Sequence, residues 1–351
     1  MPADFLLLFI PSWSAGGAEQ VSCSSSHKDR KPERVAMSTI NKLRTVIAIT
    51  VAASLTFTLA ACSFSNYGKD AEPQTSNYLY SQFVDGKYLD PYETEGDIGI
   101  TMESMVQLSA VGYDKSKFSK AIEWLTSNTQ LLKSPGLKAE YVFTAHALGF
   151  ADHPTVAQKL KELKDAIGPD YVIADTNTFS YCWVILGLAA AGEKTLANNI
   201  ALEITNYNEA SGGYKYIYGD KKSPEAADVT GFVILAVLAT KGFGNSDEES
   251  IKNFITGRAK IWLTKNVQSD GHWNGYGGID ISGTAYASMA LHALEKNTDE
   301  YITWLKQQIN AKDGGIVAPW TEPASDIFST SQSILALNNL SFIDVLEHAS
   351  K

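Results

Sequence analysis

Two hydrophobic patterns alternate along the chain. Residues 232–239 are apolar without interruption, whereas Val156, Leu160, Leu163 and Ile167 form one stripe with lysine and glutamate on the opposite side. Neither pattern has the two-residue alternation of a half-buried strand, so both predict α-helices. The first kind predicts helices that are buried on every side, and the second predicts amphipathic helices at a surface.

An acidic residue begins each of the apolar stretches, and threonine or phenylalanine follows it four positions later. These acids recur at intervals of 35 to 53 residues: Asp97, Glu140, Asp175, Asp228, Asp280 and Asp326. A carboxylate at the start of a helix accepts hydrogen bonds from unpaired amides and lies at the positive end of the helix dipole. We therefore predict that all six acids are N-caps of buried helices.

Six repeats of buried and amphipathic helices predict an all-α (α/α)6 toroid with six inner and six outer helices over residues 78–351. No single helix pair buries its own apolar surface, so the ring has to close on itself. Ile251, Phe254, Ile255 and Trp262 are expected to form the core-facing stripe of one outer helix. A short helix over residues 342–349 is expected to be the last outer helix.

A different pattern occupies the first sixty residues. Lys42 and Arg44 precede an apolar run over residues 45–61 that ends in Leu59-Ala60-Ala61-Cys62. The run is short for a bilayer span, which needs about 20 apolar residues, and is typical of a signal peptide. Its end resembles the lipobox of bacterial lipoproteins. This resemblance implies that Cys62 carries a lipid after cleavage and that the protein is anchored to the extracytoplasmic face of the cell membrane.

Domain boundaries follow from this interpretation. Residues 1–36 are an N-terminal extension or a misassigned start, with initiation at Met37. Residues 37–61 are the signal peptide, and residues 62–77 are a polar tether. An uncleaved anchor with a chance cysteine is the alternative.

Composition and charge exclude several other functions. The chain is 44% hydrophobic and 19% charged, an ordinary globular balance, and its formal net charge is -10. It contains no lysine- or arginine-rich run, so a nucleic acid partner is not expected. Three scattered cysteines do not form a disulfide framework, and Cys182 in an apolar run is expected to be a buried thiol.

A tryptophan-containing signature on the amphipathic helices resembles the repeat of terpene cyclases. Lys120-Ala121 precedes Trp124-Leu125 and Gln130, and the same pattern recurs at Arg258-Ala259, Trp262-Leu263, Gln268 and Gly271-His272-Trp273. The toroid is shared by terpene cyclases, protein prenyltransferase β subunits and cobalamin carriers. The resemblance covers roughly residues 95–340. It implies the fold and leaves the function open.

The catalytic residues of the two enzyme families are absent. The chain has no Asp-Asp dipeptide for a cyclase acid, and Ser180-Tyr181-Cys182 stands where a prenyltransferase has an Asp-x-Cys zinc pair. His146 and His292 have no ligand partner at metal spacing. We therefore name no catalytic residue, no metal site and no required cofactor, and a binding function is favoured over an enzyme.

Long connections lead into three of the predicted inner helices, over residues 208–227, 265–279 and 310–325. Helix connections usually span about 2–8 residues, so these loops are expected to serve a function at one mouth of the ring. Their aromatic residues give the first half of the predicted ligand site: Tyr214, Tyr216, Trp273, Tyr276 and Trp320. Resemblance to cobalamin carriers adds the polar half: Asp175, Asp228, Asp280, Asp326 and Gln332. The alternatives are that the aromatic residues fill the end of the ring and that the acids only cap helices.

These expectations combine into a lipid-anchored extracytoplasmic protein that captures a bulky small molecule at the mouth. A corrinoid such as cobalamin is the favoured ligand, and an isoprenoid or a glycan is also compatible with the aromatic residues. A transporter that receives the ligand is a further candidate partner. The alternative function is an enzyme on the same scaffold, either a divergent cyclase or prenyltransferase-like protein or a glycan-active one. Glu322 near Asp326 is the one hint of a glycan-cleaving acid pair.

Overall fold

The computed structural model describes residues 70–92 and 96–349, and their fold is an all-α toroid. In chain order the helices of these residues are α1 (Pro73–Ser81), α2 (Ile98–Ala110), α3 (Ser119–Ser127), α4 (Pro135–Leu148), α5 (Pro154–Asp165), α6 (Thr178–Ala190), α7 (Lys194–Thr205), α8 (Ala227–Leu238), α9 (Ser246–Asn266), α10 (Ile281–Ala293), α11 (Asp299–Gln307), α12 (Ile327–Ser331), α13 (Ile334–Leu337) and α14 (Phe342–Ala349). Odd-numbered helices from α1 to α11 are the outer ring. Even-numbered helices from α2 to α10, with α12 and α13 as one broken helix, are the inner ring.

Helix α1 supplies the sixth outer helix and closes the ring. The amide of Ala71 donates to Oδ1 of Asn338 at 2.6 Å, at the carboxyl end of α13, and the ring of Tyr78 lies against Gly315 ahead of α12. An ion pair of 2.9 Å joins Glu72 to Lys306 of α11. The tether predicted for residues 62–77 is therefore helical from Pro73 onward. Residues 1–69, with the predicted signal peptide and Cys62, lie outside the described part.

Helix α14 is not an outer helix, so its predicted role is wrong. Phe342 is fully buried, and its ring lies 5.3–6.1 Å from four aromatic rings of the inner helices. These rings belong to Phe143, Trp183, Phe232 and Tyr286. Side chains from four inner helices converge on Phe342, so this aromatic cluster fills the interior of the ring. We call the carboxyl ends of the inner helices, which α14 covers, the closed end.

Inner helices pack closely where glycine removes the side chain. A Cβ on Gly187 of α6 would overlap the carbonyl oxygen of Ala139 in α4, and one on Gly231 of α8 would overlap the carbonyl of Tyr286 in α10. Backbones in contact leave no room for water between the helices, and the apolar stretches of the sequence are buried on every side as predicted.

The core-facing stripe of α9 differs from its prediction. Ile251 and Phe254 are exposed, while Ile255, Ala259 and Leu263 face the core. Lys252 also lies inward, and its ammonium group donates at 2.8 Å both to Oδ1 of Asn198 and to the carbonyl of Thr240. A buried and fully bonded lysine thus takes a position that hydrophobicity alone assigns to an apolar residue.

Two short hairpins precede the last two inner helices, where the sequence predicted loops. Strand β1 (Trp273–Gly275) pairs antiparallel with β2 (Gly278–Asp280), and β3 (Ile316–Val317) pairs antiparallel with β4 (Ser325–Asp326). β2 leads directly into α10 and β4 into α12. The hairpins therefore stand at the amino ends of the inner helices, which we call the mouth. No helix of residues 70–92 and 96–349 has the length and apolar character of a membrane crossing.

Candidate functional site

Three acids at the mouth are N-caps, as predicted. Asp97, Asp280 and Asp326 accept hydrogen bonds from the amides of Ile100, Gly283 and Ser329 at 2.9, 2.8 and 2.7 Å. In each of these repeats the hydroxyl of the threonine four residues on donates to the carbonyl oxygen of the acid. The repeated acid and threonine therefore fix the start of α2, α10 and α12 by paired local bonds.

The cap prediction is wrong for the other three acids. Glu140 lies inside α4, which begins earlier because Pro135 occupies its first turn and Ser134 is its cap. Asp175 accepts from the amide of Asn177 at 2.9 Å and from the Ser180 hydroxyl at 2.6 Å, and Asn177 caps α6 instead. Asp228 lies in the first turn of α8. The N-cap position of this helix is Ala226, whose side chain makes no capping hydrogen bond.

Asp228, Asp280 and Tyr216 form a polar group at the mouth, in which Asp228 is buried, Asp280 is half-buried and the ring of Tyr216 is partly exposed. One carboxylate oxygen of Asp228 accepts from the Val229 amide at 2.7 Å, and the other accepts from the hydroxyl of Tyr216. Burial raises the pKa of Asp228 to about 7, and the neighbouring charge of Asp280 adds to the shift. Burial also raises the pKa of Asp280. The two acids consequently retain a proton under conditions in which a solvated aspartate is ionised.

Glu103 and Glu140 extend the acidic group toward the ring interior. Oε1 of Glu103 accepts from the Tyr286 hydroxyl at 2.8 Å and from Nε2 of Gln107 at 2.9 Å. Burial raises the pKa of Glu103 to about 7. The pKa of Glu140 lies well above its ordinary value because of burial, and the charges of Glu103 and Asp97 add to this shift.

Gln332 lies beside Glu103, at the break between α12 and α13. Its Nε2 is 3.5 Å from Oε2 of Glu103, and its Oε1 has no hydrogen-bond partner among the described residues. The Gln107 side-chain oxygen accepts a hydrogen bond from the amide of Leu335 at 2.9 Å. This bond accounts for the break between α12 and α13, because the Leu335 amide bonds to a side chain instead of to a carbonyl of its own helix.

No ion pair of the described residues involves Asp228, Asp280, Glu103 or Glu140. Their partners are hydroxyls, amides and backbone groups rather than lysine or arginine. No group of three or more histidine, cysteine, aspartate or glutamate residues in the described part could hold a metal ion. The site therefore presents hydrogen-bond acceptors without a counter-charge.

Two of the predicted aromatic residues are strongly exposed above these acids. Tyr276, at the turn of the β1–β2 hairpin, is 94% exposed, and Trp320, between β3 and β4, is 60% exposed. Tyr216 stacks on Phe179 at 5.5 Å with one face of its ring in solvent, while its hydroxyl points inward to Asp228. These three side chains form an aromatic rim.

Tyr214 and Trp273 do not fit their predicted place on the rim. Both are buried, and the indole nitrogen of Trp273 donates to the carbonyl of Leu263 in α9 at 2.9 Å. Trp273 also packs edge-on against Tyr301 at 4.8 Å. Trp273 therefore anchors its hairpin to the outer ring, and neither buried side chain has surface left for a ligand.

Sequence reasoning missed Glu103, Gln107 and Tyr286. Glu103 and Gln107 are spaced i, i+4 inside an otherwise apolar stretch, and this is the signal that could have identified them. The phenol of Tyr286 gave no such signal, because its partner lies 183 residues away in sequence.

No family model matches the chain, and no curated protein sequence matches it. Solved structures do match. Haptocorrin in complex with Cbi has a TM-score of 0.56 at 14% identity, over 79% of this chain and 70% of that chain. An unsaturated glucuronyl hydrolase from Bacillus sp. GL1 has a TM-score of 0.53 at 11% identity, over 78% and 96%.

A third similar structure is a type II terpene cyclase from Scytonema in complex with its product merosterolic acid A. Its TM-score is 0.53 at 13% identity, over 76% of this chain and 96% of that chain. A carrier, a hydrolase and a cyclase thus share one architecture, and at these identities the likeness concerns the fold alone. The chain accordingly has the α/α toroid fold, as the repeat of its sequence predicts.

Proposed function

We propose that this protein is a lipid-anchored, extracytoplasmic ligand-binding protein that captures a bulky molecule at the mouth of its toroid. The observation that carries the proposal is the position of Tyr276 and Trp320, two strongly exposed rings on hairpins that lead directly into Asp280 and Asp326. Exposed aromatic rings do not contribute the stabilising free energy that their burial would give. A flat ligand that stacks on them removes their surface from water, and this free energy then favours binding.

The acids below the rim select the chemistry of the ligand. Burial leaves these acids partly protonated near neutral pH, and no described lysine or arginine pairs with them, so they offer hydrogen bonds without attracting an anion. They therefore favour an uncharged or cationic molecule with N–H or O–H donors. A corrinoid meets both requirements, because its macrocycle is flat and its edge carries amide groups. The similar structure of haptocorrin in complex with Cbi supports this choice. A neutral glycan is the second choice.

The filled interior limits where the ligand binds. Phe342 and the four rings around it occupy the ring interior, so an isoprenoid has no apolar chamber to enter from the mouth. Of the ligands compatible with the sequence, the isoprenoid is therefore the least favoured. A corrinoid or a glycan needs only the open rim.

Titration with cobinamide, followed by its absorbance spectrum, tests the proposal. We expect the wild-type protein to bind and the Tyr276→Ala, Trp320→Ala double variant to lose about 5- to 150-fold in affinity, since each lost stacking contact contributes about 0.5–1.5 kcal/mol. Phe254→Ala is the matched control, because it removes an exposed ring from the outer wall. Equal affinity of the double variant and the wild type would exclude the rim as the binding site.

An enzyme on the same scaffold is the second candidate, and the Asp228–Asp280 pair favours it. An acid that keeps its proton near neutral pH can protonate a leaving group while a nearby carboxylate acts as base. Asp228→Asn and Asp280→Asn, each assayed with a neutral oligosaccharide, separate the two functions. Lost hydrolysis with retained affinity would support the enzyme, and lost affinity without any turnover would support the receptor.

Lipid attachment at Cys62 would tether the protein by its closed end. Ala71, near the start of the described residues, is bonded to Asn338 at that end, so the mouth would face away from the membrane. A transporter that receives the ligand is the partner we propose. Metabolic labelling with radioactive palmitate tests the anchor, with Cys62→Ser as the variant that should lose the label.

A further inference from the structure

The outward face of α9 is unusually apolar for an outer helix. At 21 residues α9 is longer than the other outer helices, which have 9 or 12. Phe254 is 66% exposed, and Ile251 and Ile261 are each 48% exposed. All three lie on the side of α9 away from the core-facing Ile255, Ala259 and Leu263, and no described residue of the toroid buries them.

Residues on this face follow the spacing of a helix-pairing seam. The α9 face consists of Asp247, Ile251, Phe254, Arg258, Ile261 and Lys265. Successive members are four, three, four, three and four residues apart, the a/d spacing of a coiled coil. Gly257, beside this seam, has no heavy atom within 4 Å of a Cβ position, which leaves room next to Phe254 for another side chain.

The α9 face is complementary to itself in one antiparallel register. When two copies cross so that Ile251 of one meets Ile261 of the other, Asp247 meets Lys265 and Phe254 meets Arg258. The first pairing is apolar, the second is an ion pair and the third is a cation–π contact. Asp247 and Lys265 have no ion pair with any described residue. The half-buried Arg258 donates through Nη2 to the carbonyls of Glu209 and Ala210, and its guanidinium lies 6.0 Å from the Phe254 ring of its own chain, so only its outer face is open to a second copy.

We propose that a second copy of this chain docks on the α9 face and forms a two-fold symmetric dimer. A two-fold axis requires each residue pair to occur twice with the partners exchanged, and the three pairings above satisfy that rule. A parallel arrangement would instead oppose Asp247 to Asp247 and Lys265 to Lys265. The net charge of -10 disfavours non-specific association, so the fixed charge pairs give the contact its specificity.

The dimer is expected to be weak. One helix pair buries less than the roughly 1,600 Å² of a standard interface, so association in the micromolar to millimolar range follows. An anionic membrane is a less suitable occupant, because Asp247 stands on the same face as the basic residues. The acidic, apolar and basic positions also follow one another in a fixed order along the α9 face, and a membrane surface offers no matching order of groups.

Sedimentation velocity of the full-length protein over a concentration series tests the proposal. Wild type should shift from monomer to dimer, and Phe254→Asp should stay monomeric. Asp247→Lys and Lys265→Asp should each weaken the dimer roughly tenfold, since like charges then meet, while the double swap should restore it. The matched control exchanges Lys161 and Asp165, an exposed ion pair on α5, and should leave the dimer unchanged.

Disulfide cross-linking checks the register. Ile251→Cys combined with Ile261→Cys should give a covalent dimer under oxidation. Each single cysteine variant should not, because the two copies of residue 251 would lie ten residues, or about 15 Å, apart along the helix axis.

The proposal would be overturned if the wild type remained monomeric throughout the series or if the double charge swap failed to restore association. It would also be overturned if the single cysteine variants cross-linked as efficiently as the double variant.

A flotation experiment with phosphatidylglycerol vesicles gives a fourth test. Flotation that depends on Phe254 in a protein that stays monomeric would assign the α9 face to a lipid surface instead.

Discussion

The hydroxyl of Tyr286 in α10 donates to Oε1 of Glu103 in α2 at 2.8 Å, across the interior of the ring. This bond joins two helices that are not neighbours in sequence, and Gln107 donates to the same oxygen. Every donor to Glu103 among the described residues is neutral, and none of their ion pairs includes it, so no cation of this part of the chain offsets the burial of the carboxylate. Protonation of Glu103 therefore depends on its surroundings in the ring interior.

Glu103 makes stability depend on pH in a definite direction. Its folded pKa of about 7 exceeds the ordinary value of 4.5, so protonation favours the folded state. This stabilising contribution is fully present below about pH 4.5 and is lost as the pH rises to about 7. Glu103→Gln should therefore be more stable than wild type at pH 8, by up to about 3 kcal/mol, and equally stable at pH 4.

Urea unfolding at several pH values measures this difference. Other buried acids shift the pH dependence of both proteins, so the comparison of variant with wild type isolates Glu103. A constant difference across the pH range would show that Glu103 does not titrate in this window.

Phe342 is expected to contribute strongly to stability through its position in the ring interior. Phe342→Ala removes a fully buried ring that contacts four others and leaves a cavity, so it should lower the free energy of unfolding by about 3–5 kcal/mol. Phe254→Ala on the exposed wall should change it by less than about 0.5 kcal/mol when both proteins are measured at a concentration at which they are monomeric. Urea titration followed by circular dichroism distinguishes the two. A small loss for Phe342→Ala would mean that the closed end is not packed as described.

Two glycines should respond to alanine with opposite signs. Gly257 of α9 faces open space, so Gly257→Ala should stabilise the protein by about 1 kcal/mol through helix propensity. Gly187 of α6 touches the Ala139 carbonyl, so Gly187→Ala should force α4 and α6 apart and destabilise the protein by about 1–3 kcal/mol. Thermal unfolding gives both values, and shifts of the same sign would contradict the packing.

The sequence predicted those features that local chemistry determines. The capping by Asp280 and Asp326 was predictable because acid, threonine and apolar stretch lie within one turn of each other. The six-fold repeat then gave the ring of inner and outer helices.

Features that depend on distant partners were not predictable. Lys252 takes an inward position on α9 only because oxygen atoms of Asn198 and Thr240 are placed to accept hydrogen bonds from its ammonium group. Phe342 enters the ring interior only because four inner helices leave a gap of its size. Periodicity assigns faces to one helix at a time and carries no information about such partners.

Tyr216 provides the most direct test of the acids at the mouth. Its hydroxyl donates to Asp228, and this bond lowers the pKa of that carboxyl against the larger opposing effect of burial. Tyr216→Phe should therefore raise the pKa of Asp228 above its value of about 7, as measured by ¹³C NMR of labelled aspartate.

Tyr218→Phe is the control, because Tyr218 lies on the same loop and stacks on Tyr207 at 3.9 Å. The pKa of Asp228 should stay unchanged in Tyr218→Phe. An unshifted Asp228 pKa in Tyr216→Phe would show that the phenol does not control this carboxyl.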